Sequence, residues 1–154
     1  MSDASDGGGA QDGVPVARVE RVLAAAPGEA YDAWLDEAAL QSFICPAPGR
    51  AAEVSVDARV GGGLRFLMAF PDGEIEVTGE FVALDRPERI CFTWRCSDTG
   101  ELESMVTVLL APHGEGQTLM TIIHSRQPAS LVPKHSEGWT SVAEQLAQRL
   151  APVA

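Results

Sequence analysis

The spacing of apolar residues divides the chain into two kinds of segment. Over residues 64–123, apolar side chains occupy every second position in five short runs, and turns rich in Gly, Pro and Asp separate them. This period predicts five consecutive antiparallel strands. A Val- and Ala-rich run over residues 14–25 predicts a strand before them, and residues 137–150 repeat apolar side chains at helical spacing. The pattern therefore predicts a sheet covered by one long helix.

Two short helices are predicted between the first strand and the meander. Pro27 suits the first turn of a helix, because its missing N–H needs no partner there, and the helix continues to residue 36. A second helix over residues 38–44 ends before Pro46. Pro133 is assigned to a loop before the last helix. The expected order is strand, two short helices, meander and long helix.

Composition narrows the class of protein. At 154 residues the chain is expected to form one domain that buries roughly 70% of its unfolded surface. The net charge of −11 and the pI near 4.5 argue against nucleic acid and membrane partners, because the 11 basic residues are scattered. Apolar runs stop well short of the ~20 residues of a membrane span. An odd count of three cysteines and no apolar leader indicate a soluble, cytoplasmic protein.

The first residues differ from the rest of the chain. Residues 1–13 contain three Asp, four Gly and two Ser, with almost nothing to bury. They are expected to form a disordered acidic, Gly-rich tail. Residues 14–151 are then expected to form a single domain.

An ordered set of short motifs runs through this pattern. They are Arg59-Val60-Gly61-Gly62, Gly79, Arg86-Pro87-Glu88-Arg89-Ile90, Phe92-Thr93-Trp94, Gly116-Gln117-Thr118 and Glu137-Gly138-Trp139. Together, over about residues 16–150, they resemble the START-related helix-grip superfamily, and within it the branch named after the C-terminal domain of the activator of the 90-kDa heat-shock-protein ATPase. The resemblance implies an α+β fold in which about seven curved antiparallel strands grip the C-terminal helix, with a cavity between them. Members of the superfamily bind lipids, polyketides, hormones or drugs, some cyclise polyketides, and the co-chaperone branch contacts its chaperone.

A cavity in such a fold would be lined by the apolar face of the sheet and by the helices. The same side chains also serve as core, so the two interpretations overlap. The candidate lining residues are Trp34, Phe43, Phe66, Met68, Phe70, Val77, Phe81, Phe92, Trp94, Val106, Val108, Thr121, Ile123, His124, Trp139, Val142 and Leu146.

His124 is the strongest polar candidate. An imidazole at the end of an apolar strand could orient a ligand carbonyl or act as a base, although local hydrogen bonding is the simpler interpretation. Glu74, Glu76, Glu80 and Glu103 fall on the polar face, where solvation explains them without acid–base or metal chemistry. We expect no metal, no cofactor and no catalytic residue.

Other reactive patterns are weak. Cys45 is expected to be partly exposed, but no basic residue adjoins it to lower its pKa. The glycines of residues 61–63 precede a strand, so they predict a bend or bulge instead of an anion site. Gly79, inside a predicted strand, indicates a bend or a close backbone approach.

Three functional classes follow. The first is non-catalytic binding of a small, largely apolar or aromatic molecule, for sequestration, resistance or sensing. The second is a protein-interaction module of the co-chaperone type, with a chaperone or another protein as partner. The third is a cyclase- or hydrolase-like enzyme, which would require His124 or another polar group to face the cavity.

Overall fold

The computed structural model describes residues 15–100 and 102–152, except for the side chain of Asp98. Its strands are β1 (Ala17–Leu23), β2 (Arg50–Val56), β3 (Gly63–Phe70), β4 (Gly73–Asp85), β5 (Arg89–Cys96), β6 (Glu103–Pro112) and β7 (Thr118–Ser125). Its α-helices are α1 (Pro27–Ala33), α2 (Glu37–Phe43) and α3 (Val132–Leu150). The tail predicted at residues 1–13 lies outside the described residues, and the domain limits 14–151 stay a prediction.

All seven strands form one antiparallel sheet. Their order across the sheet is β1-β7-β6-β5-β4-β3-β2, so each strand from β2 to β6 pairs with the next in the chain, and β1 pairs with β7. The sheet curls into a half-barrel whose inner face packs on the helices as a single core. The predicted α+β class and the order of elements are confirmed.

Strand β2 is absent from the strands that the apolar period predicted. It lies at the sheet edge, and its pairing with β3 shifts by one residue between Ala51 and Glu53. A bulge of this kind interrupts the alternation of faces. Only Ala51 is buried in this strand, so the apolar signal is weak.

Helix α3 begins at Val132, five residues before the predicted start at residue 137. A short 3-10 turn, Ala129–Leu131, leads into it. Pro133 therefore lies in its first turn and not in a loop, a position that proline suits for the reason already given for Pro27. The earlier start brings Lys134 and His135 onto the helix.

The face of β7 differs from the prediction for two candidate residues. Met120, Ile122 and His124 point to the inner face, opposite the buried residues of β6. Thr121 and Ile123 therefore point to the outer face, because neighbours in a strand alternate. Residues 119–123 are apolar at nearly every position, so the sequence does not show an alternation there. It therefore could not determine whether the even-numbered or the odd-numbered residues face inward.

A bulge in β4 also changes a predicted face. The pairing with β5 passes from Phe81 opposite Phe92 to Ala83 opposite Cys91, which leaves Val82 unpaired and exposed. Ala83, predicted on the apolar face, is displaced from it. Leu84 takes its place and pairs with Ile90 on the inner side.

Helix α1 is tied to the corner between β4 and β5. The Arg86 guanidinium donates two hydrogen bonds to the Asp32 carboxylate, from Nε and Nη2, each 2.9 Å long. This bidentate contact lowers the pKa of Asp32. The same guanidinium carbon lies 5.9 Å from the centre of the Tyr31 ring.

Within the described ranges, no helix has both the length and the apolar character that a membrane span requires.

Gly79 shows the close backbone approach that its mid-strand position indicated. A Cβ at this position would lie 2.0 Å from the carbonyl oxygen of Thr93 on β5. We expect Gly79→Ala to destabilise the fold by roughly 1–3 kcal/mol, because the two strands would have to separate. Gly63→Ala is the matched control, since its Cβ would meet the nearest atom at 3.7 Å. Denaturant unfolding measures both variants, and equal midpoints would contradict this account.

Candidate functional site

One end of the curled sheet holds a cavity of about 100 Å³ beneath α3. Three parts of the chain enclose it: the start of α3, the segment that follows α2, and the ends of β3, β4 and β5 near the β3–β4 turn. Its lining consists of Ile44, Pro46, Met68, Phe70, Ile75, Val77, Trp94, Cys96, Lys134, His135, Gly138, Trp139 and Val142. The lining is mainly apolar and opens to solvent on one side.

The structure brings six of the candidate residues to this cavity. They are Met68, Phe70, Val77, Trp94, Trp139 and Val142. The others lie elsewhere: Trp34, Phe43, Phe66, Phe81, Phe92, Val106, Val108 and Leu146 in the packed core, His124 buried beside them, and Thr121 and Ile123 on the outer face. Side chains of α1, α2 and α3 pack against these residues in one continuous core, so no space is left beside them.

Sequence reasoning missed seven lining residues. Lys134 and His135 belong to the first turns of α3, whose start the prediction placed too late. Proline at an early helical position was the signal that could have located that start. Gly138 lies inside the predicted helix but has no side chain to mark it, and Ile44 and Pro46 lie where the helical period ends. Ile75 and Cys96 lie on the predicted apolar faces of β4 and β5, but the period does not show which end of those faces borders a cavity.

The segment after α2 is held in place by α3. The Gln145 side-chain amide donates to the Cys45 carbonyl at 2.8 Å, and the Ala47 N–H donates to the Ser141 hydroxyl at 2.9 Å. These bonds place Pro46 against α3, where a Cβ on Gly138 would lie 3.4 Å from its Cγ. Glycine at position 138 therefore leaves space at this side of the cavity.

Two tryptophans form the aromatic wall of the cavity. The rings of Trp94 and Trp139 meet in a T-shaped contact with their centres 5.1 Å apart. Trp94 lies on β5 and Trp139 on α3, so this contact joins sheet to helix. Aromatic pairs in this geometry add about 0.5–1.5 kcal/mol beyond their burial.

A chain of buried hydrogen bonds lies behind this wall. The Trp139 indole N–H donates to Nδ1 of His124 at 2.9 Å. The other ring nitrogen of His124, Nε2, lies 2.6 Å from the Ser104 hydroxyl, and that hydroxyl donates to the Trp94 carbonyl at 3.1 Å. His124 and Ser104 are both almost fully buried.

The direction of these bonds determines the protonation of His124. An indole N–H can only donate, so Nδ1 must accept and carries no hydrogen. The Ser104 hydroxyl uses its single hydrogen on the Trp94 carbonyl, so Nε2 of His124 donates to it. His124 is therefore the neutral Nε2–H tautomer, with both ring nitrogens occupied.

His124 also contacts a second histidine. The His135 ring stacks on it with the centres 4.0 Å apart, and Nδ1 of His135 donates to the side-chain oxygen of Gln127. Gln127 in turn donates to the His124 carbonyl. Burial, with a smaller contribution from His135, lowers the pKa of His124 from 6.5 to about 3. Since it is neutral, fully bonded and outside the lining, His124 has a structural role in this arrangement.

Comparison with known proteins identifies the family. A model of the family described as "Activator of Hsp90 ATPase homolog 1-like protein" matches residues 24–151. The chain belongs to this AHSA1 family. No curated protein matches the sequence.

Solved structures of similar proteins support the fold. Protein CV1439 from Chromobacterium violaceum is 30% identical, with a TM-score of 0.76 over 90% of this chain and 99% of that one. The AHSA1 protein from Silicibacter pomeroyi is 26% identical, with a TM-score of 0.74 over 88% of this chain and 96% of that one. DynU16, from the dynemicin biosynthetic locus, is 23% identical with a TM-score of 0.70; the match covers 88% of this chain and 46% of DynU16, and it shows a shared fold alone.

The other chemical candidates of this AHSA1 domain lie away from the cavity. Arg65 pairs with Glu53 and Glu76 on the outer face, and Arg95 pairs with Glu103. These exposed pairs agree with a solvated polar face.

Cys45 is buried, not partly exposed as the sequence suggested. Burial raises the pKa of its thiol to about 11, so the thiol stays protonated at neutral pH.

The hydrogen bond from Trp139 can be isolated by comparing two tryptophans. Trp139→Phe removes the indole N–H and leaves Nδ1 of buried His124 without a donor. Trp34→Phe removes a similar volume, but its indole N–H is the one buried side-chain polar group in the described residues that has no partner. We expect Trp139→Phe to cost about 1–3 kcal/mol more than Trp34→Phe in denaturant unfolding. Equal costs would show that the Trp139–His124 bond adds nothing to stability.

The neutral state of His124 also predicts a pH dependence. In the unfolded chain the imidazole takes a proton near pH 6.5, whereas in the folded protein it does so only near pH 3. Because the pKa of His124 is lower in the folded protein, the stabilisation by neutral His124 is fully present above pH 6.5. It decreases as the pH falls from 6.5 toward 3. Between pH 7 and 5 we expect a loss of roughly 2 kcal/mol in unfolding free energy that His124→Gln does not show. If the unfolding free energies of the parent protein and His124→Gln changed in parallel with pH, the assignment of His124 as neutral in the folded state would be contradicted.

Proposed function

We propose that this protein binds a small, largely apolar ligand in the cavity between α3 and the ends of β3, β4 and β5, without turning it over. The observation that carries the proposal is the cavity itself, with its apolar lining and aromatic wall. Pockets for small molecules combine such a lining with a few polar groups. Membership of the AHSA1 family supports the proposal, since the fold commonly binds ligands or acts as a co-chaperone-like module.

The cavity volume limits the size of the ligand. About 100 Å³ is somewhat less than the roughly 150 Å³ of an apolar cavity that takes up benzene. One side is open, so a single ring or a short chain would fill the interior while the rest of the molecule lies at the mouth. This argues for a ligand with one small apolar part.

The walls are held before any ligand arrives. The Trp139 indole is held by its hydrogen bond to His124, and the Trp94 ring packs between Phe92 and Trp139. Pro46 is held by the hydrogen bonds of its segment to α3. A site whose walls are already ordered loses little conformational entropy on binding. This favours a true binding site over an incidental packing gap.

The protein-interaction class has less support from the surface. Among the described residues, the large apolar side chains that are exposed are Val22, Val60 and Val82. The outer face of the sheet carries solvated ion pairs instead. Neither feature offers a partner the apolar centre typical of stable protein interfaces.

Binding of toluene, as a neutral one-ring probe, tests the proposal. At ten times the dissociation constant a ligand that binds only the folded state adds about 1.4 kcal/mol of stability. We expect toluene to raise the melting temperature by a few degrees in a concentration-dependent manner and to change tryptophan fluorescence.

Two variants on the same strand provide the control. Ile75→Trp, at a lining position that is partly exposed, should fill the cavity and abolish the shift. Val82→Trp, exposed at the bulge and outside the lining, should keep it. A shift that survives Ile75→Trp, or no shift with any one-ring probe, would refute binding at this site.

A further inference from the structure

We propose that the ligand carries a neutral hydrogen-bond acceptor, such as a ketone oxygen, beside its apolar part, and that this oxygen accepts a hydrogen bond from the Trp94 indole N–H. The inference rests on the proposed function and adds the chemical class of the ligand. Trp94 lines the cavity, so the apolar part and the acceptor occupy the same space. The expected ligand is therefore a small aromatic or short-chain carbonyl compound.

The Trp94 indole N–H has no hydrogen-bond partner in the part of the chain that the structure describes. Ser104 bonds to the backbone carbonyl of Trp94 and not to its ring. Four rings lie against the indole, those of Phe66, Phe92, His124 and Trp139. Neither phenyl nor indole rings offer a conventional acceptor, and both ring nitrogens of His124 are occupied. The neighbouring side chains therefore leave this donor unused.

The same N–H is accessible, although the residue as a whole is buried. Among the described residues, the Trp34 indole nitrogen is the one fully enclosed side-chain nitrogen or oxygen without a partner. The Trp94 nitrogen also lacks a partner but is not enclosed in this way, so it retains accessible surface. Only 8% of the Trp94 surface is exposed, and its side chain points from β5 to the inner face, where the cavity lies. The donor therefore opens to the cavity.

The other polar side chains of the lining already have contacts of their own. Lys134, His135 and Cys96 each interact with another group of the protein. The His135 ring, for example, bonds to the Gln127 side chain. Trp94 is therefore the described lining residue whose side-chain donor is unused, and a buried donor of this kind gains from a ligand that accepts its hydrogen.

A neutral acceptor suits this donor better than a charged one. The indole N–H donates one hydrogen and carries no charge. Moving an ionised group into a mainly apolar site costs far more than moving a ketone, and one neutral hydrogen bond does not offset that cost. A ketone oxygen costs less to remove from water and regains one hydrogen bond in the cavity. The donor therefore selects for a neutral oxygen.

Two ligands of the same shape test the inference. Acetophenone and α-methylstyrene differ in one group, a carbonyl oxygen in place of a terminal methylene, so only the ketone can accept a hydrogen bond. Calorimetry measures both affinities in the parent protein and in Trp94→Phe. We expect the ratio of ketone to alkene affinity to fall about fivefold in Trp94→Phe, the effect of one lost neutral hydrogen bond. An unchanged ratio would overturn the inference.

Trp34→Phe is the matched control. It makes the same chemical change and also removes an indole N–H without a partner, but Trp34 is not a lining residue. The ratio of ketone to alkene affinity should therefore stay at the value of the parent protein. An equal fall of the ratio in both variants would contradict a contact at Trp94.

The indole N–H signals in nuclear magnetic resonance give a second measurement, which needs only the parent protein to bind and so decides the case if Trp94→Phe does not fold. The chain has three tryptophans, and the signals lost in Trp34→Phe and Trp139→Phe leave the third to Trp94. Acetophenone should move the Trp94 proton signal downfield of its position with α-methylstyrene, because a hydrogen bond to a carbonyl deshields the proton. Equal positions with both ligands would overturn the inference.

Failure of this inference and failure of the proposed function give different results. If both ligands bind, Ile75→Trp abolishes their binding, and Trp94→Phe leaves the affinity ratio unchanged, the proposed function stands and this inference fails. If neither ligand binds, or if binding survives Ile75→Trp, both fail.

Discussion

The buried hydrogen-bond chain from Trp139 through His124 and Ser104 to the Trp94 carbonyl joins α3 to three neighbouring strands. The direction of every hydrogen bond in this chain is determined, because the indole at one end can only donate and the carbonyl at the other end can only accept. Removing any member would leave a buried polar atom unpaired, at a cost of about 1–3 kcal/mol. The position of α3 over the sheet, and with it the shape of the cavity, depends on this chain.

The cavity is a consequence of how few elements cover one end of the sheet. Helices α1 and α2 and most of α3 fill the inner face elsewhere, and their side chains form a continuous core. At the β3–β4 end, only the first turns of α3 and the segment around Pro46 lie above the strands. Gly138 adds no side chain there. The hydrogen bonds between α3 and the segment around Pro46 fix the positions of both, and the missing side chain at position 138 leaves space between them and the strands.

This arrangement separates the polar groups of the inner face into two sets. His124, Ser104 and Gln127 form hydrogen bonds with one another and are buried, which explains why a histidine on an apolar strand does not line the cavity. Lys134 stands at the mouth on the first turn of α3. The cavity therefore has a mainly apolar interior, and the buried histidine lies behind its wall.

The alternation of apolar residues by itself determined the antiparallel meander and the terminal helix, because period and turn chemistry are local properties. At Gly79 it allowed either a bend or a close backbone approach, and the pairing with Thr93 decided for the close approach. Six of the lining residues could also be found this way, since they lie on the apolar face or stripe. Tertiary structure decided the rest. Whether the His124 ring lined the cavity or bonded to Trp139 depended on a contact between residues 15 positions apart in the chain. Pairing between neighbouring strands decided which residues of β7 face inward. It also decided the bulge at Val82 and the position of β2 at the edge of the sheet. Lys134 became a cavity residue only because α3 starts at Val132 and passes over the open end of the sheet, and no local pattern records that crossing.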